Sequence, residues 1–130
     1  MIYLDTSAFL TTVLDEAESA ALLEYLHGHP DGQLVSSGLL AVEARRAVLR
    51  HRPARLPRTD VLLGQVEQIG ISDAVIESAG RLPDPMLRSL DAIHLATALL
   101  IRDDVEALLT YDARLREAAQ SHGLPTVAPA

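Results

Sequence analysis

Four acidic residues that lie far apart in the sequence stand early in a predicted helix or directly after a predicted strand. They are Asp5, Glu43, Asp91 and Asp112. In an open parallel sheet, ligands bind beyond the carboxyl ends of the strands, and the helices that follow those strands begin at the same edge. We therefore expect the four carboxylates to converge on one pocket.

Carboxylates that share a pocket repel one another, and at least one of their pKa values rises unless a cation lies between them. Mg²⁺, with Mn²⁺ as a possible substitute, is the natural cation because it takes hard oxygen ligands from one or two carboxylates and keeps several waters. A pair of such ions about 3.5–4 Å apart is the usual machinery of phosphodiester hydrolysis, in which one ion activates a water and the other stabilises the leaving oxygen. The residues alone thus indicate a metal-dependent phosphodiesterase with one or two ions.

Asp91 is the most informative of these acids, because it lies in the almost wholly apolar segment SLDAIHLATALLI, residues 89–101. A buried carboxylate is costly unless it is paired or binds a metal. The simpler alternative is a favourable interaction with the helix dipole, worth less than about 2 kcal/mol. His94 follows one turn later and has two interpretations: a hydrogen-bonded core residue, or a proton-transfer group that faces the pocket.

The other three acids also have purely structural explanations. Asp5 and Asp112 are good helix N-caps, and Glu43 could be a solvated helix acid. Two hydroxyl residues, Ser7 and Thr110, lie two positions from Asp5 and Asp112 respectively. They are expected either to hydrogen-bond the metal-binding carboxylates or to serve only as helix caps and strand ends. The case for a metal site therefore depends on the whole set of acids.

All eleven basic residues are arginines, in a chain whose net charge is −7. Six of them fall within residues 45–58: Arg45, Arg46, Arg50, Arg52, Arg55 and Arg58. This segment is either a solvated helix face with its loop or a site for a polyanion. Arg46 and Arg50, one and two turns after Glu43, are the candidate ligands of scissile or flanking phosphates. An ion pair between Arg46 and Glu43 is the alternative.

The elements that must position these side chains are indicated by short apolar segments that alternate with helical ones. This pattern predicts an α/β fold with a short-stranded, mostly parallel central sheet. Strands are expected at residues 2–4, 34–36, 69–71, 105–110 and 125–127. Helices are expected at residues 6–14 (capped by Thr6 or Ser7), 15–28, 39–51, 59–67, 72–82, 89–101 and 112–122. The chain of 130 residues has no internal repeat, so one domain over residues 1–130 is expected.

Composition excludes several classes of protein. The absence of cysteine rules out disulfides, zinc–thiolate sites and thiol nucleophiles, and the absence of lysine rules out a P-loop. No apolar run reaches the ~18 residues that a membrane helix needs, and no basic flank precedes the first apolar segment. No membrane association and a cytoplasmic location are therefore expected. With only four aromatic residues, a base-stacking platform for single-stranded RNA is not expected.

Four segments together resemble the motifs of PIN-domain ribonucleases, and among these the VapC-type toxins of bacterial toxin–antitoxin pairs. The segments are MIYLDTSAFL, SSGLLAVEARRAV, LDAIHLATAL and LLTYDARLREAAQSHGLPTV. The resemblance implies a PIN-like three-layer α/β/α fold and an acidic quartet at Asp5, Glu43, Asp91 and Asp112. The family's supporting hydroxyl residues fall on Ser7 and Thr110.

The same resemblance implies an activity and partners. It implies Mg²⁺-dependent endonucleolytic cleavage of RNA, a homodimer, and inhibition by a cognate VapB-like antitoxin that feeds a basic residue into the acidic pocket. Phe9, Leu10 and Val13, with residues 22–26, are expected to belong mainly to the core. Any apolar surface they leave exposed is the candidate contact for the dimer or the antitoxin. The RNA target is not indicated by the sequence.

Two other hypotheses are compatible with parts of the sequence. A phosphoacceptor receiver domain shares the length, the α/β alternation and an acidic Mg²⁺ pocket, but it needs a lysine that this chain lacks. A catalytically silent PIN-like module that only binds RNA or a partner is the stronger alternative. The intact set of four acids argues against it.

Overall fold

Five strands and seven helices alternate in the computed structural model, which describes residues 1–130. The strands are β1 (Ile2–Leu4), β2 (Leu34–Ser37), β3 (Glu67–Ile69), β4 (Ala107–Leu109) and β5 (Thr126–Val127). The helices are α1 (Thr6–Val13), α2 (Ser19–His27), α3 (Leu39–His51), α4 (Leu56–Leu63), α5 (Asp73–Gly80), α6 (Ser89–Leu100) and α7 (Ala113–Ser121). The predicted α/β class is confirmed, and every strand pair is parallel.

The strands form one sheet in the order β3-β2-β1-β4-β5. The chain moves outward from β1 through β2 to β3, and then crosses back to place β4 and β5 on the other side of β1. This reversal makes the junction of β1 and β4 a topological switch point. In open α/β sheets, ligands bind at such a point, beyond the carboxyl ends of the strands.

Alternate residues of the strands pack into two separate hydrophobic cores, one on each face of the sheet. Ile2 and Leu4 of β1 join the core that α1, α2, α3 and α4 cover. Tyr3 points to the opposite face and joins the core that α6 and α7 cover. Because successive side chains of a strand point to opposite faces, the short apolar strands supply both cores at once. Helix α5 packs against α6. The sheet and the helices on its two faces form the predicted three layers.

Several predicted element boundaries were wrong. Helix α4 begins at Leu56 and not at residue 59, because Pro57 lies in its first turn, where no backbone N–H donor is required. Helix α2 begins only at Ser19, whose hydroxyl donates to the carbonyl oxygens of Thr11 and Leu14 and so fixes the turn before it. The cap of α1 is Asp5, not Thr6 or Ser7. Strand β3 occupies residues 67–69 and strand β4 residues 107–109, where residues 69–71 and 105–110 were expected.

The apolar stripe that was assigned mainly to the core lies there. Phe9, Val13 and Leu22 are fully buried, and Leu23 is the member left exposed. Leu23, Leu26 and Leu62 line an apolar cleft of about 220 Å³ between α1, α2 and α4. None of the seven helices has both the length and the apolar character that a membrane-crossing helix requires.

Candidate functional site

Asp5 lies immediately after β1, at the switch point, and is almost completely buried. Its Oδ1 accepts hydrogen bonds from the backbone N–H of Ala8 at 2.9 Å and from the hydroxyl of Ser7 at 2.7 Å. Its Oδ2 accepts the hydroxyl of Thr110 at 2.6 Å. Burial raises the pKa of Asp5 above its ordinary value, and these donors offset that rise only in part. The capping role considered for Asp5 is therefore real, and it fixes the carboxylate in one orientation.

Ser7 and Thr110 make the predicted hydrogen bonds to Asp5 and also hold the segment after β4. The hydroxyl oxygen of Ser7 accepts the backbone N–H of Tyr111 at 2.9 Å. The hydroxyl oxygen of Thr110 accepts the backbone N–H of Asp112 at 3.0 Å. The two hydroxyl residues thus tie the ends of β1 and β4 together across the switch point.

Asp112 caps α7 through Oδ1, which accepts the backbone N–H of Leu115 at 2.9 Å. Its structural explanation is therefore also correct. Only one of its two carboxylate oxygens is used in this way, since no hydrogen bond engages Oδ2. Asp112 therefore caps α7 with one oxygen, and its Oδ2 stays available to a ligand.

Asp91 is the third residue of α6 and is half-buried. Burial raises its pKa, and so do the negative charges of Asp112 and Asp5 and, more weakly, Glu43. Its side chain makes no hydrogen bond or ion pair that would compensate this repulsion. The electrostatic influence of all three other acids on Asp91 means that the structure brings the four predicted residues into one neighbourhood.

Glu43 lies in the second turn of α3 and faces α1 and α6. The hydroxyl of Thr6 donates to its Oε1 at 2.6 Å, and Nε2 of His94 lies 2.9 Å from the same oxygen. Burial alone would raise the pKa of Glu43, but the hydrogen bonds with His94 and Thr6 outweigh it and lower the pKa below its ordinary value. Glu43 is therefore ionised at neutral pH, and it is not the solvated acid of the alternative interpretation.

His94 combines the two interpretations that the sequence left open. Its ring is 1% exposed, so it is a core residue, yet its Nε2 contacts Glu43 in the site. Its Nδ1 lies 2.8 Å from the hydroxyl of Tyr3 in the core of the sheet. The sequence did not predict the hydrogen bonds that Thr6 makes with Glu43 and Tyr3 makes with His94. The spacing of three residues did place Asp91 and His94 on one face of α6, but Thr6 carried no signal apart from its position beside Asp5.

Some of the arginines of residues 45–58 form ion pairs and others do not. Arg45 pairs with Asp60, and both Arg52 and Arg55 reach Asp15. Arg46 and Arg50 form no ion pair, so the predicted alternative of an Arg46–Glu43 pair is wrong. These two guanidinium groups are exposed on α3, beside the acidic site.

A cavity of about 410 Å³ lies beside Ser7, whose hydroxyl binds Asp5; none of the four predicted acids lines it. Ser7 forms its inner end, Arg50 and His51 line the α3 side, and Glu18 and Tyr111 lie on its other walls. The hydroxyl of Tyr111 donates to the backbone carbonyl of Pro129 at 2.7 Å, which fixes the ring. The cavity therefore connects an unpaired guanidinium group with the hydroxyl that holds Asp5.

The donor set at this site matches the chemistry of Mg²⁺ or Mn²⁺, since it consists of carboxylate oxygens. No three His, Asp or Glu side chains surround a common point closely enough to hold a metal ion in their present positions. Mg²⁺ needs only one or two carboxylates and completes its shell with water. Asp91, with no hydrogen bond of its own and three like charges near it, is the residue that a cation would stabilise most. The residues thus fit the ion in chemical type without forming a complete cage.

Comparison with known proteins gives concordant results. The PIN-domain family model matches residues 2–121. Ribonuclease VapC35 of Mycobacterium tuberculosis is 40% identical over 131 residues, covering 99% of this chain and 97% of that protein. Ribonuclease VapC46 of the same species is 40% identical over 129 residues, covering 98% and 97%.

Solved structures share the fold over the whole chain. The M. tuberculosis VapC20 toxin, described as cleaving the sarcin–ricin loop, superposes with a TM-score of 0.76 at 14% identity, covering 99% of this chain and 100% of that one. A toxin–antitoxin complex from Klebsiella pneumoniae gives a TM-score of 0.72 at 25% identity, covering 100% and 98%.

Proposed function

The chain belongs to the PIN-domain family, and we propose that it is an endoribonuclease, the toxin of a VapBC-type toxin–antitoxin pair. The observation that carries the proposal is the convergence of three carboxylates, Asp5, Glu43 and Asp112, on the half-buried carboxylate of Asp91, whose pKa their charges raise, at the switch point of the sheet. Relatives that match nearly the full length at 40% identity and are named ribonucleases support the same activity.

Divalent-metal dependence is general among PIN-domain ribonucleases, and we propose Mg²⁺, with Mn²⁺ as a substitute. Asp5 and Asp91 would be the primary ligands, with Glu43 and Asp112 completing the site. The ion would supply a nucleophilic water at neutral pH and counter the charge that develops on the phosphate. One ion or two are equally compatible with these four carboxylates.

The protein's own contribution to the reaction is orientation. Three hydrogen bonds hold Asp5 in a single position, and Ser7 and Thr110 extend this order to Asp112. Pre-oriented carboxylates need no reorganisation when the phosphodiester reaches them, which is a large part of the advantage of an enzyme site over water. Glu43, with its lowered pKa, is suited to stay anionic and not to accept a proton.

The RNA would enter along the cavity beside Ser7. Arg50 lines the α3 side of this cavity, and Arg46 lies one turn earlier on the exposed surface of α3; both are unpaired, and we propose that they bind phosphates that flank the scissile one. Tyr111 is the one aromatic ring at this cavity and could contact a base. The other arginines of residues 45–58 are partly neutralised by Asp15 and Asp60, so RNA binding would be local and not spread over the segment.

The partners follow from the family. Structural neighbours include a toxin–antitoxin complex, and we propose that a cognate VapB-like antitoxin inhibits this chain by covering the acidic site. The apolar cleft at Leu23, Leu26 and Leu62 is the candidate docking surface for its apolar residues. A homodimer, a single nuclease domain over residues 1–130 and a cytoplasmic location complete the proposal.

The direct test is cleavage of total RNA by the purified protein in Mg²⁺, in EDTA, and after Mg²⁺ is restored. We expect cleavage that EDTA abolishes and Mg²⁺ restores. Asp91→Asn should reduce the rate by about 100-fold or more, an amount typical of lost electrostatic stabilisation. Asp31→Asn is the matched control, because Asp31 lies in the exposed turn before β2, at the opposite edge of the sheet.

Two outcomes would reject the ribonuclease proposal. Cleavage that survives both EDTA and Asp91→Asn would assign the activity to a contaminant or to another site. Absence of cleavage in every condition, with RNA still bound, would favour the catalytically silent module.

A further inference from the structure

A line of hydrogen bonds runs from the sheet core to the acidic site through Tyr3, His94 and Thr6. Tyr3 lies in β1, His94 in α6 and Thr6 in the first turn of α1. The Tyr3 hydroxyl meets His94 Nδ1 at 2.8 Å, while His94 Nε2 lies 3.1 Å from the Thr6 hydroxyl and 2.9 Å from Oε1 of Glu43. Thr6 and His94 therefore meet at one carboxylate oxygen, and Tyr3 is linked to it through the His94 ring.

The donors and acceptors in this line are determined by Glu43. An ionised carboxylate only accepts hydrogen bonds, so an unprotonated Nε2 at 2.9 Å would place two lone pairs in contact. Nε2 must therefore carry a proton and donate it to Glu43. A neutral ring then has a bare Nδ1, which accepts the proton of the Tyr3 hydroxyl.

Burial makes this arrangement rigid. Tyr3 and His94 are 0% and 1% exposed, and their rings meet edge to face with centroids 5.9 Å apart. A ring in this position cannot turn without breaking the contact with the Tyr3 hydroxyl in a place that water does not reach. The orientation of the Nε2–H group is thus set from inside the core.

The two carboxylate oxygens of Glu43 differ in their hydrogen bonding. Both donors, the Thr6 hydroxyl and His94 Nε2–H, bind Oε1, and no hydrogen bond occupies Oε2. One oxygen of the carboxylate is therefore held and the other remains free for a ligand. A pair of donors that hold one oxygen of a metal-binding carboxylate raises metal affinity by orienting the group before the ion arrives.

We propose that Thr6 and His94 are positioning residues that hold Glu43 for divalent-metal binding, and that Tyr3 fixes the orientation of the His94 ring. This inference rests on the proposed metal-dependent function. It assigns roles to three residues outside the acidic quartet and treats His94 as an orienting group that does not contact the substrate.

The first test compares matched pairs of variants by their Mn²⁺ dissociation constants, measured by electron paramagnetic resonance in the absence of RNA. Thr6→Val removes the hydroxyl at nearly constant volume, and Thr6→Ser keeps it. His94→Leu removes the donor, and His94→Gln supplies an amide N–H near the position of Nε2. We expect the variants without the donor to bind Mn²⁺ about 10–100-fold more weakly, and each conservative variant to recover most of that loss.

The second test measures the ¹⁵N chemical shifts of the His94 ring in the metal-free protein. The wild type should have the proton on Nε2. Tyr3→Phe should leave that proton in place because Glu43 still accepts it, but it should shift the Nδ1 resonance because this nitrogen loses its donor. This readout does not depend on RNA cleavage or on metal binding.

The outcomes distinguish failure of the proposed metal-dependent function from failure of the positioning role alone. If the wild type neither binds Mn²⁺ nor cleaves RNA, the proposed function fails, and the inference on metal positioning fails with it. If the wild type binds Mn²⁺ but Thr6→Val binds it as tightly as Thr6→Ser, the positioning role is wrong while the function stands. The threonine pair decides this even if His94→Leu does not fold. A wild-type ring protonated on Nδ1 would overturn the assigned tautomer.

Discussion

At the scale of single residues, burial raises the pKa of both Asp5 and Asp91, but the groups around the two carboxylates differ. Asp5 is deeply buried, but three hydrogen-bond donors compensate much of the cost of its charge. Asp91 is only half-buried, but it has no donor and lies in the negative field of Asp112 and Asp5. The charge of Asp91 is thus the uncompensated one, and the metal-free protein should be less stable because of it.

We therefore expect Asp91→Asn to stabilise the metal-free protein while it lowers the cleavage rate by about 100-fold or more. The folded-state pKa of Asp91 lies above the ordinary value of 3.8, so the folded chain binds this proton more readily than the unfolded chain. Stability then falls as pH rises from about 4 through the raised pKa, and the advantage of Asn should be absent below that window and complete above it. Thermal unfolding at pH 7 in EDTA should show a rise of about 2–4 °C, and none near pH 3.5. A lower melting temperature than that of Asp31→Asn at pH 7 would contradict this account.

The acidic quartet and the hydroxyls of Ser7 and Thr110 could be predicted from the sequence, because strand ends and helix starts share one edge of a parallel sheet. The role of His94 could not be predicted. Helical periodicity places His94 on the face of Asp91, but only the packing of α6 against β1 and α1 puts one ring nitrogen on Tyr3 and the other on Glu43. The ion pairing of the arginines could not be predicted either, because Arg46 has no partner while Arg45 pairs with Asp60 of a different helix.

At the scale of secondary-structure elements, the errors occurred where a local signal had two meanings. The helix predicted at residues 59–67 begins at Leu56 instead, because proline is favoured in the first turn of a helix and Pro57 lies there. Residues 15–18 were taken as a helical first turn, but tertiary contacts of Asp15 with Arg52 and Arg55 hold them as a connection. Helices α3 and α6, with strong apolar patterns, were placed to within one residue.

Helix α7 is followed by a glycine in a left-handed conformation. Gly123 has a φ of +83°, a left-handed conformation that favours glycine, and an added Cβ would lie 3.3 Å from Nη2 of Arg102. Gly123→Ala should lower the free energy of unfolding by about 1–2 kcal/mol. Gly80→Ala is the matched control, because Gly80 is helical with open space around it and should gain about 0.5 kcal/mol. Urea unfolding measures both, and equal effects would contradict the assigned backbone strain.

At the scale of the whole molecule, the strand order explains why the site lies where it does. Reversal of the chain at β1 puts the ends of β1 and β4 side by side, and Thr110 bridges them by binding Asp5. The helices on the two faces then bring their own acids to this junction, Glu43 from α3 and Asp91 from α6. A net charge of −7 would oppose RNA binding, so the unpaired arginines on α3 and a bound cation must act locally.

The most direct test of the central claim is the Mn²⁺ dissociation constant of the free protein and of four single variants. The variants are Asp5→Asn, Glu43→Gln, Asp91→Asn and Asp112→Asn, with Asp31→Asn as the control. If four carboxylates from four elements form one metal site, each of the four variants should bind Mn²⁺ at least about 10-fold more weakly than the wild type, and the control should match the wild type. Equal affinity in the wild type, the control and all four variants would contradict the account.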